Sequence, residues 1–132
     1  MPNYSPRISA GLDVEEVDFK FTVGATGAVG TTYQGKAGRV TVSRTTTGEY
    51  LITLSKPYPV RLLNCFVAVS DADGDDVNTD ATYKTGSYSA SAGTFTIFTR
   101  DPWDGSPALV DPANGAEVHV SAKFLRTAAL DG

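Results

Sequence analysis

One cysteine and one histidine are all that these 132 residues offer to thiol or soft-metal chemistry. With Cys65 alone, no intrachain disulfide can form and a cysteine zinc site is excluded. Cys65 lies in the apolar run CFVAV, which reads as a buried strand, and free cysteine there behaves as a small hydrophobe. Positive charge is also scarce. Eleven Lys and Arg against fifteen Asp and Glu leave a net charge of −4, and the basic residues stand singly from Arg7 to Arg126. A partner held by phosphate contacts requires a basic stripe, so no nucleic acid is expected. No run approaches the ~20 apolar residues of a membrane-spanning helix, so no membrane is expected either. The opening MPNYSPRIS has no charged segment followed by an apolar core. No secretory signal is therefore expected, and the chain is expected to be made in a cytoplasm.

An amphipathic helical period is missing as well, and in its place apolar and polar residues alternate. Hydrophobic residues make up 41% and charged residues 20%, ordinary globular usage in a length that suits one domain. Residues 1–16 hold Pro2, Pro6 and Gly11 and an acidic cluster at Asp13, Glu15 and Glu16; they read as an extended arm ahead of a single domain over 17–132. VDFKFTV (17–23) sets Val17, Phe19, Phe21 and Val23 on one side. GATGAVGTTYQGKAG (24–38) carries five glycines and reads as a long loop. GRVTVSRTTTGEYLITL (38–54) is a hairpin turning at TTTG. Val40 and Val42 lie on one face of its first strand, with Arg39, Thr41 and Ser43 opposite; Tyr50, Ile52 and Leu54 share a face of its second. In KPYPVRLLN (56–64) two prolines stop the strand and leave room for a helical turn. CFVAVS (65–70) is the next strand and DADGDDVNTDA (71–81) an acidic loop. YKTGSYSAS (83–91) and GTFTIFTRD (93–101) pair, with Phe95 and Ile97 on one face. PWDGSPALVDPANG (102–115) is turn-rich. AEVHVSAKFLR (116–126) lines up Val118, Val120, Ala122 and Phe124. About seven short strands between Gly, Pro and Asp turns specify an all-β fold, an antiparallel β-sandwich or compact β-barrel of jelly-roll or immunoglobulin-like type. Strand order is not readable from periodicity.

Each candidate for chemistry has a plainer competing reading. His119 falls opposite Val118 and Val120, beside Ser121 and Lys123. A Ser–His–Asp triad rests on geometry and no G-x-S-x-G elbow occurs, so His119 reads as solvent-facing or as an interface residue. The Asp71–Asp76 loop crowds oxygen ligands as a calcium site does, but the EF-hand spacing fails and no Glu closes it; a solvated acidic turn explains it as well. GATGAVG places glycines at every third position without a following helix or a GK[ST], which leaves a flexible connector rather than a phosphate loop. Trp103, with Tyr83, Tyr88 and Phe98, could stack a sugar or make packing and protein contacts. Glu15 and Glu16 point to opposite faces of an extended chain. No catalytic residue, metal ligand or cofactor is assigned.

The stretch VTVSRTTTGEYLITL, with its Arg and G-x-Y-x-(V/I)-x-L unit, resembles one found in small β-proteins of tailed bacteriophages. GTFTIFTRD and DPANGAEVHVSAKFLR agree with the later strands of those proteins. The family so resembled, over about residues 38–126, is the head decoration or cement proteins. It implies a non-enzymatic virion component on the capsid surface that stabilises contacts between major capsid subunits, gathers as a homo-oligomer (a trimer), and needs no cofactor. Residues 1–37 lie outside the resemblance, which carries over a role and no site residues; separately, Tyr4, Pro6 and Arg7 of the extended arm and Trp103 of its loop are the residues expected at a protein interface. The competing expectations are a host-surface or carbohydrate-binding module, another virion part such as a tail or connector subunit, and a hydrolase using His119.

Overall fold

A computed structural model describes residues 14–70, 79–101 and 108–126. Eight antiparallel strands form two four-stranded sheets packed as a sandwich. The strands are β1 (Val14–Val23), β2 (Val29–Gln34), β3 (Val40–Thr46), β4 (Glu49–Leu54), β5 (Arg61–Ser70), β6 (Asp80–Tyr83), β7 (Thr94–Arg100) and β8 (Glu117–Leu125). The first sheet runs β2-β1-β8-β5 and the second β3-β4-β7-β6. Arm residues Tyr4, Pro6 and Arg7, the Asp71–Asp76 loop and Trp103 lie outside the described residues.

Alternation builds the core as expected. Val17, Phe19, Phe21 and Val23 of β1 stand beside Val118, Val120, Ala122 and Phe124 of β8, with Phe19 opposite Val120 and Phe21 opposite Val118. Facing them, β4 supplies Tyr50, Ile52 and Leu54 and β7 supplies Phe95 and Ile97, all buried. Phe21 meets Tyr50 and Phe95 meets Phe124 across the sandwich, at ring-centre distances of 5.2 and 6.0 Å in tilted geometries that suit the ring quadrupoles.

Both ends of the sandwich are closed by an arginine on a carboxylate. At the end where β1 begins, Arg39 is only 4% exposed. It grips Glu15 through Nε (2.9 Å) and a terminal nitrogen (2.8 Å), and also donates to the carbonyl oxygens of Ser55 and Pro57. At the opposite end, Asp111 accepts from Arg44 (3.0 and 2.8 Å) and from the Gly48 N–H (2.9 Å). Gly48, in the TTTG turn, adopts φ +70°, and a Cβ there would meet the Thr99 carbonyl oxygen at 2.7 Å. Only glycine fits that turn.

Several expectations need correction. Arg39 is not outward-facing with Thr41 and Ser43: it immediately precedes β3 and is buried, its guanidinium on Glu15 and the carbonyls of Ser55 and Pro57. Residues 24–38 are not a loop throughout. Ala25–Gly27 form a single 3₁₀ turn and Val29–Gln34 an edge strand, whose small and polar residues give no alternation to read. The turn is no flexible connector: the Tyr50 hydroxyl donates to the Gly27 carbonyl at 2.8 Å, plugging the core. Val14–Glu16, within the expected arm, already pair with β8. Residues 61–64 extend β5 and make no helical turn. The strand pairing with β7 is Asp80–Tyr83; residues 83–91 are mostly turn, tied back by a bridge from Ser89 to Thr94. CFVAVS is an edge strand with one face inward, not a wholly buried one.

Candidate functional site

Among the described residues, the large hydrophobic side chains left exposed are Phe66 (69%), Tyr33 (52%) and Leu63 (50%). All three belong to β5 and β2, the two edge strands of the first sheet. Register explains their direction. Tyr33 lies opposite Lys20, whose side chain alternates away from the buried Phe19 and Phe21; Phe66 lies opposite Ser121, away from the buried Val120 and Ala122. In β5 a bulge between Leu62 and Asn64 leaves Leu63 as the extra residue, turned outward.

Between these aromatic edges the two central strands lay down a polar floor. One rung across the sheet reads Tyr33, Lys20, His119, Ala68; the next reads Asp18, Ser121, Phe66. β2 ends at Gln34, so beside Asp18 the fourth position passes to Gly35 and the face opens there. Small side chains at Ala68 and Ser121, flanked by rings, leave the face a shallow, open depression. Three strand spacings separate β2 from β5, roughly 14 Å, so the two rings flank the groove instead of clamping one small ring between them.

The floor is partly organised. Lys20 Nζ lies 3.2 Å from Glu117 and 5.3 Å from the Tyr33 ring centre, a cation over a π face. His119 Nε2 lies 3.4 Å from the Ser70 hydroxyl and 3.8 Å from Glu117. Hydroxyl and carboxylate therefore approach the same ring nitrogen. A Ser–His–acid relay needs them on opposite nitrogens, so this cluster is not arranged as one. Asp18 and Ser121 make no side-chain hydrogen bond to any described residue and face the open groove.

The other sequence candidates are dispersed. Tyr83 and Tyr88 pack against the core; the Tyr88 hydroxyl donates to the Pro59 carbonyl, and burial pushes its pKa up to about 12. Phe98 is on the outer face of the second sheet, beneath Lys84. These aromatics form no common platform. Cys65 is half-buried, and burial pushes its thiol up to about 11, the inert form. Glu15 is taken up by Arg39, while Glu16 faces Lys123 at 3.8 Å on the outer surface. Among the described residues no group of three His, Cys, Asp or Glu could hold a metal ion, and no helix is long and apolar enough to cross a membrane. Sequence reasoning singled out His119 but missed Tyr33 and Phe66. Neither strand offered a signal locally, since VGTTYQ shows no apolar alternation and CFVAVS reads as a continuous apolar run; without strand order, nothing shows that β2 and β5 flank one face. No family model, no curated protein and no solved structure matches the chain.

Proposed function

We propose that the chain is a bacteriophage head decoration protein, a non-catalytic brace on the outer capsid surface that holds major capsid subunits together. One observation carries the reading: the two segments expected to make the contact join the frame at opposite ends. The arm bearing Tyr4, Pro6 and Arg7 precedes Val14, which pairs with Leu125 at the Arg39 end. The segment bearing Trp103 follows Arg100, which pairs with Asp80 at the Asp111 end. The ten residues of β1 separate those ends by roughly 30 Å. A strut with contacts at both ends, stiffened by two packed four-stranded sheets and an ion pair at each end, suits bridging between neighbours in a lattice. The resemblance over residues 38–126 supplies the nature of that lattice.

Energetically, a repeating shell rewards modest contacts, because several linked copies bind with avidity that none has alone. A trimeric assembly at local threefold positions, the arrangement the resemblance implies, would supply that linkage. The net charge of −4 would complement basic patches on a shell, steering docking more than fixing its strength. Purified protein added to heads lacking it should be retained through sedimentation and raise the temperature at which they release DNA. Trp103→Ala, or removal of residues 1–13, should each weaken retention at least tenfold. Heads that neither retain the protein nor gain stability would overturn the reading.

A further inference from the structure

Among the described residues, β5 presents the longest uncovered sheet edge, and we infer that it receives the N-terminal arm of a neighbouring copy as an added strand. β5 pairs with β8 on one side. From Leu62 to Ser70 its other side makes no backbone hydrogen bond with any described residue. The bulge at Leu63 lies near its start, and Asn64–Ser70 run regularly beyond it. LLNCFVAVS holds no charge and no proline, two of the devices that guard an edge against pairing. Both faces also lack cover. Leu62, Cys65, Val67 and Val69 pack against the core but are only half-buried, whereas the inward residues of β1 and β8 are buried; Phe66 is exposed on the other face. The remaining edges are shorter or tied. β6 has four residues and β2 six, and the Gln34 side-chain amide bonds both the N–H and the carbonyl of Val40, stitching β2 to the start of β3.

The arm's sequence has the period of a strand. Every even position from Pro2 to Val14 is apolar, and every odd position from Asn3 to Asp13 is polar or glycine. This row is out of phase with β1, whose buried residues Val17, Phe19, Phe21 and Val23 are odd. The row therefore does not extend the core face of β1 and requires another apolar surface, which the half-covered row of β5 supplies. Main-chain hydrogen bonds to the edge would give the affinity, and the apolar row laid over Leu62, Cys65, Val67 and Val69 the specificity. Pro2 and Pro6 both fall on even positions, so one side of the strand alone lacks their donors, and an edge strand tolerates that on the side away from its partner. A chain's own arm is badly placed for this. It enters β1 at Val14, on the rung of Leu125 and Arg61, three strand spacings or roughly 14 Å from where the added strand would lie. Crossing that gap spends about four residues and takes Ala10 and Leu12 out of the row. Continued straight on from β1, the arm keeps its whole row and offers it to another molecule. Arm into edge is a heterologous contact, which closes as a ring when the rotation allows. A ring of three rests on the decoration reading; the contact between arm and edge does not.

The test is disulfide trapping in the purified full chain, where Cys65 is the only native thiol. Under a mild oxidant, at least one of Tyr4→Cys, Ile8→Cys and Ala10→Cys should form disulfide-linked species of two or three chains. Trapping should run at least tenfold faster than in Ser5→Cys and Ser9→Cys, and adding Cys65→Ser should abolish it. Removing residues 1–13 should speed alkylation of Cys65 at least tenfold and reduce the sedimenting mass to one chain, with a urea transition showing that the domain stays folded. Ile8→Asp, which keeps the arm's length, should act in the same direction. Three outcomes overturn the inference: links form only within single chains, odd and even positions trap equally, or Cys65 alkylation ignores the arm. Assembly through the arm without retention on heads would overturn the decoration reading alone. Retention on heads with no trapped arm would overturn this inference alone.

Discussion

Arg39 brings together β1, the start of β3 and the segment after β4. Its guanidinium is buried, its carboxylate partner Glu15 is held in a two-point grip, and its remaining donors reach main-chain oxygens of Ser55 and Pro57. Removing one member of such a pair leaves the other charge buried without compensation. Glu15→Gln should therefore lower stability by about 3 kcal/mol, measured by urea unfolding at neutral pH. The pH dependence has a definite sign. The hydrogen bond from Arg39 holds the Glu15 carboxyl below its ordinary value of 4.5. The unfolded chain then binds the proton more readily, and this part of the stability is present above pH 4.5 and lost as pH falls through the lower folded value. At the other end, burial pushes Asp111 up, but hydrogen bonds from Arg44 and Gly48 outweigh it and leave a net lowering, with the same sign. The gap between the parent and Glu15→Gln should therefore narrow below pH 4.5; a gap constant down to pH 2.5 would contradict the clamp. None of this is legible locally. Alternation puts Arg39 beside Thr41 and Ser43 on the outward face, and its partner lies 24 positions away.

Strand β8 is the central element, paired along its length with β1 on one side and β5 on the other. Its two faces should respond in opposite ways to truncation. Phe124 is fully buried against Phe95 and Tyr88, so Phe124→Ala should cost about 3–5 kcal/mol. His119→Ala, on the solvent face five residues earlier, should stay within about 0.5 kcal/mol. Urea midpoints with an unchanged slope would check both; equal losses would mean that the strand's faces are misassigned. The same alternation explains what the sequence could reveal. β1, β3, β4, β7 and β8 carry large apolar residues at every second position and are readable one by one. The edges are not. β2 reads VGTTYQ, with no large inward residue to mark it, and in β5 the outward Phe66 and Ala68 complete an apolar run that imitates a fully buried strand. The outer face inherits this illegibility, because its rings come from those two edges and its floor from residues about a hundred positions apart, Lys20 beside His119 and Asp18 beside Ser121.

At the scale of the whole molecule, the proposed brace is a β-sandwich whose ends and outer face differ in character. Two sheets share one core, each end is closed by an ion pair, and the expected contact segments attach at opposite ends, while the exposed aromatics lie across one face. The most direct test of the proposed decoration role is a cryo-EM map of tailed-phage particles assembled in the presence of this protein. The account predicts density for a 13.9 kDa β-sandwich repeated over the head surface, its long axis bridging adjacent capsid subunits, with contacts at the Arg39 and Asp111 ends. A bare shell, or density confined to the tail or a single vertex, would contradict it.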